Sequence, residues 1–330
     1  MRKSFGLLAR LAVTGGCLTY AMWGVDFSRL FTVMRGFGLW ALLACAAAVL
    51  VSLLPAGVRL AFLTQWRVRA VTGYRAVLLG LALNNILPAR MGEAGKALYL
   101  TRARDVSMGR ALEAVFWERF ADLNALLALG AFAMAFMGEW GALAPLAGVV
   151  LGLWGFLLVH RLRPDAARRL LSLVPGQKLK LIFSEILLLL EDTLSVRFLF
   201  RLGLVTLAAW ICYFSVYVFA VRYAAGVELS LVAIATVFAV TTMGFAVPAA
   251  PGGMGVYEAA FVLAMSWFGV GREEAFALGF ALHMVQYVPV TLAGLGVMAS
   301  GGFSLKSLRT AGAAQASPDP AGRTGRPLAP

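Results

Sequence analysis

Apolar residues along this chain run in long blocks and do not alternate with polar ones. The blocks occupy residues 37–54, with a Pro55-Ala56-Gly57 interruption before resumption to 63, then 123–137, 141–159, 203–221, 229–247 and 276–299. Each approaches or exceeds the roughly 18–20 apolar residues that a membrane-crossing helix needs. None shows the every-second-residue pattern of an outer-membrane barrel strand. The N-terminal stretch begins Arg2-Lys3, turns apolar and has no small-residue cleavage site near residues 20–25. It reads as a retained first span, with Arg10 close enough to its end to snorkel.

Composition agrees. The chain is 61% hydrophobic and only 14% charged, against about 25% charged in soluble domains. Its mean hydropathy is +0.83. The expected fold class is an all-α polytopic membrane protein. The net charge of +13 does not point to nucleic acid as a partner, because the basic residues sit in short loops between apolar blocks and so mark the cytoplasmic side. Arg59, Arg67, Arg69 and Arg75 flank one such loop. Lys96, Arg102, Arg104 and Arg110 mark the next, and residues 161–201 carry eight more Lys and Arg. Lys306 and Arg309 follow the last block, while residues 138–141 and 223–229 are poor in Lys and Arg and read as external. Cys17, Cys45 and Cys212 lie inside apolar segments without metal or redox spacing and read as small packing residues.

These assignments predict about six full spans and two broken hairpins, with both termini cytoplasmic. The first hairpin, residues 76–101, has basic residues on both flanks, so it enters from the cytoplasm and turns back. The second, residues 229–268, is expected to enter from outside; two full crossings there, giving eight spans, remain the alternative. Residues 161–201 read as amphipathic helix on the cytoplasmic face, attracted to anionic lipid. Residues 1–310 form the membrane domain, and 311–330, rich in Ala, Gly, Pro and Ser, read as a disordered tail.

Two Pro/Gly-rich breaks carry the candidate chemistry. One runs from Asn84 and Asn85 through Pro88, Arg90, Gly92 and Glu93 to Lys96; the other contains Pro251, Gly252, Gly253, Gly255, Tyr257 and Glu258. Irregular backbone at membrane depth needs a protein or wet-cavity lining for its polar groups. Paired breaks in two halves of a chain point to a transporter site. Glu118 follows Glu93 by the same interval as His283 follows Glu258, and Asp122 and Tyr287 stand in the same relation. That suggests an inverted repeat. Glu118, Arg119 and Asp122 fall within one helical turn, and His283, Gln286 and Tyr287 repeat the arrangement near the C-terminal end. Charges at this depth must pair or face water. A purely structural ion cluster, an interhelical histidine and simple helix kinks are the plain alternatives. No cofactor or metal is expected, and no catalytic motif is found among the familiar patterns.

The run Asn84 to Glu93 with Leu-Pro-Ala-Arg-Met-Gly at its centre, the Glu118-Arg-Phe-Ala-Asp122 segment and Ala250-Pro-Gly-Gly-Met-Gly-Val-Tyr-Glu258 together resemble the flippase-like family named for the lysylphosphatidylglycerol synthase transmembrane region. The resemblance extends over residues 7–301. It implies a polytopic inner-membrane protein, in some members a lipid flippase. Larger members add a cytoplasmic aminoacyl transferase, and nothing after Gly301 reads as such a domain. The expected function is translocation of a phospholipid or lipid-linked intermediate rather than catalysis, with a membrane-embedded transferase or an accessory anchor as alternatives. Expected partners are lipids with anionic or zwitterionic head groups; a second copy and a soluble lipid-modifying enzyme are compatible. Arg90, Lys96 and Arg119 would complement an anionic head group. The helix N-termini after Gly92 and Gly255 would offer N–H groups to its phosphate. Arg119, within ion-pair reach of Asp122 three residues on and beside Glu118, is expected to be neutralised at rest by one carboxylate.

Overall fold

The computed structural model describes residues 2–87, 91–102, 106–138, 140–163, 195–245, 247 and 250–301. Pro88 and Arg90, most of the 161–201 segment and the 311–330 tail lie outside them. Every regular element among the described residues is helical. The helices are α1 Arg2–Met22, α2 Phe27–Gly36, α3 Leu39–Ser52, α4 Leu54–Leu63, α5 Ala70–Ile86, α6 Gly92–Leu100, α7 Met108–Phe136, α8 Leu143–Leu162, α9 Val196–Val218, α10 Leu231–Gly244, α11 Val256–Ser266 and α12 Arg272–Ser300.

Their boundaries follow local chemistry. Ser107, Ser195 and Ser230 cap α7, α9 and α10 by accepting the N–H of the residue three positions on. Pro55, in the first turn of α4, cannot donate to the preceding turn, so α3 and α4 form one run bent at Leu53. Together they make Leu39–Leu63, one of four helices among the described residues long and apolar enough to cross a membrane; the others are Met108–Phe136, Val196–Ala224 and Arg272–Ser300. The protein is therefore a multi-pass α-helical membrane protein. Helices α1 and α8 lie where the sequence predicts its first and fourth spans but are not among the four.

The arms of both hairpins are short. At about 1.5 Å rise per residue, α5 is about 25 Å long, α10 about 21 Å, and α6 and α11 roughly 14–16 Å, all below a bilayer core of about 30 Å. Close packing of small residues holds them. A Cβ on Gly92 would stand 2.0 Å from the Gly80 carbonyl oxygen, so the α5 and α6 backbones touch. A Cβ on Gly294 would stand 2.4 Å from Leu78 O, which brings α12 equally close to α5. The hairpins end at opposite ends of α12. Arg102, just after α6, donates to the Gly301 carbonyl at the α12 C-terminus, whereas α11 leads through Trp267–Gly271 directly into its N-terminus. There Arg272 donates to the Tyr20 carbonyl near the end of α1.

The contact plan repeats. Within each half, the second hairpin arm packs between the first arm and the following long helix. Across halves, α12 packs on α5 and α7 packs on α10. One labelling result follows. With Cys17, Cys45 and Cys212 replaced, single cysteines at Arg75 and Arg102 should react with an impermeant reagent applied to one membrane face, and one at Glu274 only from the other. Reaction of residues 75 and 102 from opposite faces would make the first hairpin a pair of crossings.

Candidate functional site

Asp122 stands at the midpoint of α7 and Gln286 at the midpoint of α12. The ionic residues are therefore central to their helices and not frayed ends. Helical spacing turns Glu118 and Asp122 toward α4 and α6, and the bases there meet them. Arg59, from α4, places Nη1 2.7 Å from Asp122 Oδ1 and Nη2 3.0 Å from Oδ2, a two-point fork. Its Nη2 also lies 3.4 Å from Glu118 Oε1, and Nη1 donates to Thr206. Lys96 Nζ is 2.6 Å from Glu118 Oε2, and Trp210 donates its indole N–H to Asp122. Arg59, Lys96 and Glu118 are buried.

Arg119 is different. Its side chain is 47% exposed, its Nε lies 3.4 Å from Glu93 Oε1, and its Nη1 reaches Asp122 only at 4.0 Å. The carboxylate nearest Arg119 is therefore Glu93 and not Asp122, which is claimed by the fork of Arg59, sixty-three positions earlier in the chain. Three cations (Arg59, Lys96, Arg119) face three acids (Glu93, Glu118, Asp122), so the cluster is formally neutral. Its inner part is paired at short distances by Arg59 with Asp122 and Lys96 with Glu118, although Arg59 Nε is buried without a hydrogen-bond partner; its outer part, Arg119 with Glu93, is loosely paired. Glu93 Oε2 is buried with no hydrogen-bond partner, while Oε1 also receives Asn84 Nδ2 at 3.4 Å.

The second break builds a counterpart around a histidine. His283 Nδ1 lies 2.7 Å from Glu258 Oε1, and its Nε2 lies 3.0 Å from the Gly252 carbonyl oxygen. Tyr257 stacks on the imidazole at 4.3 Å; its hydroxyl meets that of Tyr217 at 2.8 Å, and Gln286 donates to it. Gly252 has φ +72°, and a Cβ there would stand 2.4 Å from the Tyr287 ring, so only glycine fits both the turn and the contact. Pro251–Gly253 form one short turn. The two breaks meet, because Tyr287 donates its hydroxyl to the Asn85 carbonyl and Asn85 donates to Thr291.

Most of the sequence candidates among the described residues thus come together in two joined clusters. The equal spacing has a structural meaning as well: Glu258 bonds His283 directly, while Glu93 and Glu118 share the same α6–α7 seam through Arg119 and Lys96. At the two helix N-termini the N–H of Gly92 is taken by Asn84 Oδ1 at 2.8 Å and that of Gly255 by Glu258 Oε2 at 2.7 Å, so any phosphate there would have to be met by the N–H groups that follow these two. Pro88 and Arg90 lie outside the described residues. Arg59, Thr206, Trp210 and Tyr217 were not among the sequence candidates. The available signal was Arg59 itself, a charge flanked by apolar residues on both sides within one block.

The family model of the lysylphosphatidylglycerol synthase TM region matches residues 7–294. The chain belongs to this family. No curated protein matches it. Membership gives the chain a membrane lipid-related role, and the family's matched span contains both clusters. Within this family member the close packing at the breaks makes a strong prediction. Gly92→Ala and Gly252→Ala should each destabilise by about 1–3 kcal/mol or more, as overpacking does. Gly296→Ala, where a Cβ meets nothing within 4 Å, should change thermal stability little. Equal melting of all three proteins would refute the close approach.

Proposed function

We propose that the protein translocates a phospholipid or lipid-linked intermediate across the inner membrane, with Arg119 receiving the anionic part of the head group. The observation that carries this reading is the contrast between the two arginines on the same acids. Arg59 is buried with both Nη atoms on Asp122 at 2.7 and 3.0 Å, whereas Arg119 is half-exposed at the middle of a membrane-length helix with its acids at 3.4 and 4.0 Å. A guanidinium left open at this depth must face a polar or wet space, and its planar fork suits phosphate as well as carboxylate. An arriving phosphate would draw Arg119 from Glu93 without disturbing Asp122, which Arg59 holds. Glu93, with one oxygen unpartnered, would then be available to a cationic group of a zwitterionic head.

The architecture proposed for this activity is an inverted repeat of two re-entrant hairpins, with both chain termini cytoplasmic. Short hairpin arms, their endings at opposite ends of α12 and the reciprocal packing of α5–α12 and α7–α10 support it. Lipids with anionic or zwitterionic head groups are the proposed partners, and a catalytic role is not proposed. The test is leaflet-resolved lipid analysis of cells lacking the protein. A lipid shifted between leaflets at unchanged total amount supports translocation. Loss of a modified lipid from both leaflets, with its precursor accumulating, would make the protein a transferase.

A further inference from the structure

We infer that Glu258 and His283 form a proton-binding site and that the proton they hold is the coupling ion of translocation; the coupling half rests on the function proposed above. The Gly252 carbonyl can only accept a hydrogen bond, so the His283 Nε2 facing it at 3.0 Å carries a proton. The 2.7 Å contact between Nδ1 and Glu258 Oε1 needs another, because two bare lone pairs would repel at that distance. The other carboxylate oxygen is occupied by the Gly255 N–H. Whether the second proton sits on the imidazole or the carboxyl, the pair holds one more than an ionised glutamate beside a neutral histidine. Loaded, the pair is neutral; after release of that proton to water it carries one negative charge.

Release cannot leave the geometry intact. A neutral ring that keeps Nε2–H turns its Nδ1 lone pair onto the carboxylate. The other tautomer turns its Nε2 lone pair onto the Gly252 carbonyl. Either way one of the ring's two contacts is lost, to Glu258 in the first case and to the Gly252 carbonyl of the 251–255 turn in the second. That turn bears on the transport site, since Gly252 packs on Tyr287, and Tyr287 holds the Asn85 carbonyl beside the first break. Both side chains are nearly fully buried, at 3% and 2% exposure, so the proton is exchanged only when this region opens. Among the described residues, the titratable side chains against the pair are Tyr257 of α11, Tyr287 of α12 and, through Tyr257, Tyr217 of α9. From α1, the Thr14 hydroxyl accepts the Ala250 N–H and braces the same turn.

The chain has two histidines, so His160→Gln leaves His283 as the sole reporter. Nitrogen-15 NMR of this protein in liposomes at neutral pH should show both ring nitrogens of His283 protonated. The equivalent outcome is a protonated-carboxyl infrared band that disappears in Glu258→Gln. One bare ring nitrogen beside an ionised Glu258 would overturn the proton site. In the same liposomes, coupling of one proton per lipid makes a gradient of about one pH unit shift the leaflet ratio of a fluorescent anionic phospholipid about tenfold. His283→Gln should abolish that response. Lipid movement indifferent to the gradient would overturn coupling and leave translocation standing. No lipid movement under any gradient would remove coupling together with the function it rests on, while the spectra would still report the proton.

Discussion

Arg59→Met is expected to lower stability by about 3–5 kcal/mol, the cost of stripping one partner from a buried ion pair. The side chain is 1% exposed and joins α4 to α7 and α9 through Asp122, Glu118 and Thr206. Removing it leaves Asp122 with Trp210 and the distant Arg119, and Glu118 with Lys96 alone. Methionine fills similar space, so the loss reads charge and not volume. Adding Asp122→Leu removes the acid left unpaired and should recover part of the stability, because a buried pair replaced as a whole by apolar residues is often neutral. Thermal unfolding of the purified proteins in detergent checks both. A single mutant that melts like the wild type would mean that Arg59 is not the base that closes the cluster.

Arg119→Lys should do the opposite. Transport is expected to fall by about tenfold or more, equivalent to about 1.4 kcal/mol in the barrier, while stability changes by less than about 1 kcal/mol, as for exposed pairs. Lysine keeps the charge but presents a single point instead of a planar fork. The structure favours this separation because Arg119 contributes little to closing the core: its nearest acids are at 3.4 and 4.0 Å and its side chain is half-exposed. The decisive control is Arg119→Leu combined with Glu93→Gln, which removes the loose pair as a unit. It should remain folded and fail to transport. A stable and fully active double variant would reduce the outer pair to a structural feature.

The elements that could be read from the sequence were those with a local signature. The membrane blocks, the two glycine-rich breaks and the acids inside apolar helices each depend on residues close in the chain, and Glu93, Glu118, Asp122, Glu258 and His283 all fall in the clusters. Their partners were harder to read. Helical spacing correctly places Arg119 near Asp122, but it carries no information about a guanidinium arriving from α4, and the fork of Arg59 outcompetes the local pair. Arg59 itself was read as a topology marker, because a basic residue near the end of an apolar block fits the cytoplasmic-loop pattern equally well. The side chains that meet the helix N-termini are hidden for a related reason. A free N–H at such a position is the default, yet Asn84 returns from the end of α5 to take that of Gly92 and Glu258 from its own first turn to take that of Gly255. In both cases a tertiary contact or a side-chain rotamer decided between chemically equal options.

The most direct test of the central claim is the initial rate at which a head-group-labelled anionic phospholipid changes leaflets in liposomes containing only the purified protein, followed by quenching of the outer leaflet. The account predicts movement well above that of empty liposomes in the wild type and a fall of about tenfold or more in Arg119→Lys at equal reconstitution. A wild-type rate no higher than that of empty liposomes, with the protein shown to be folded and inserted, would contradict it.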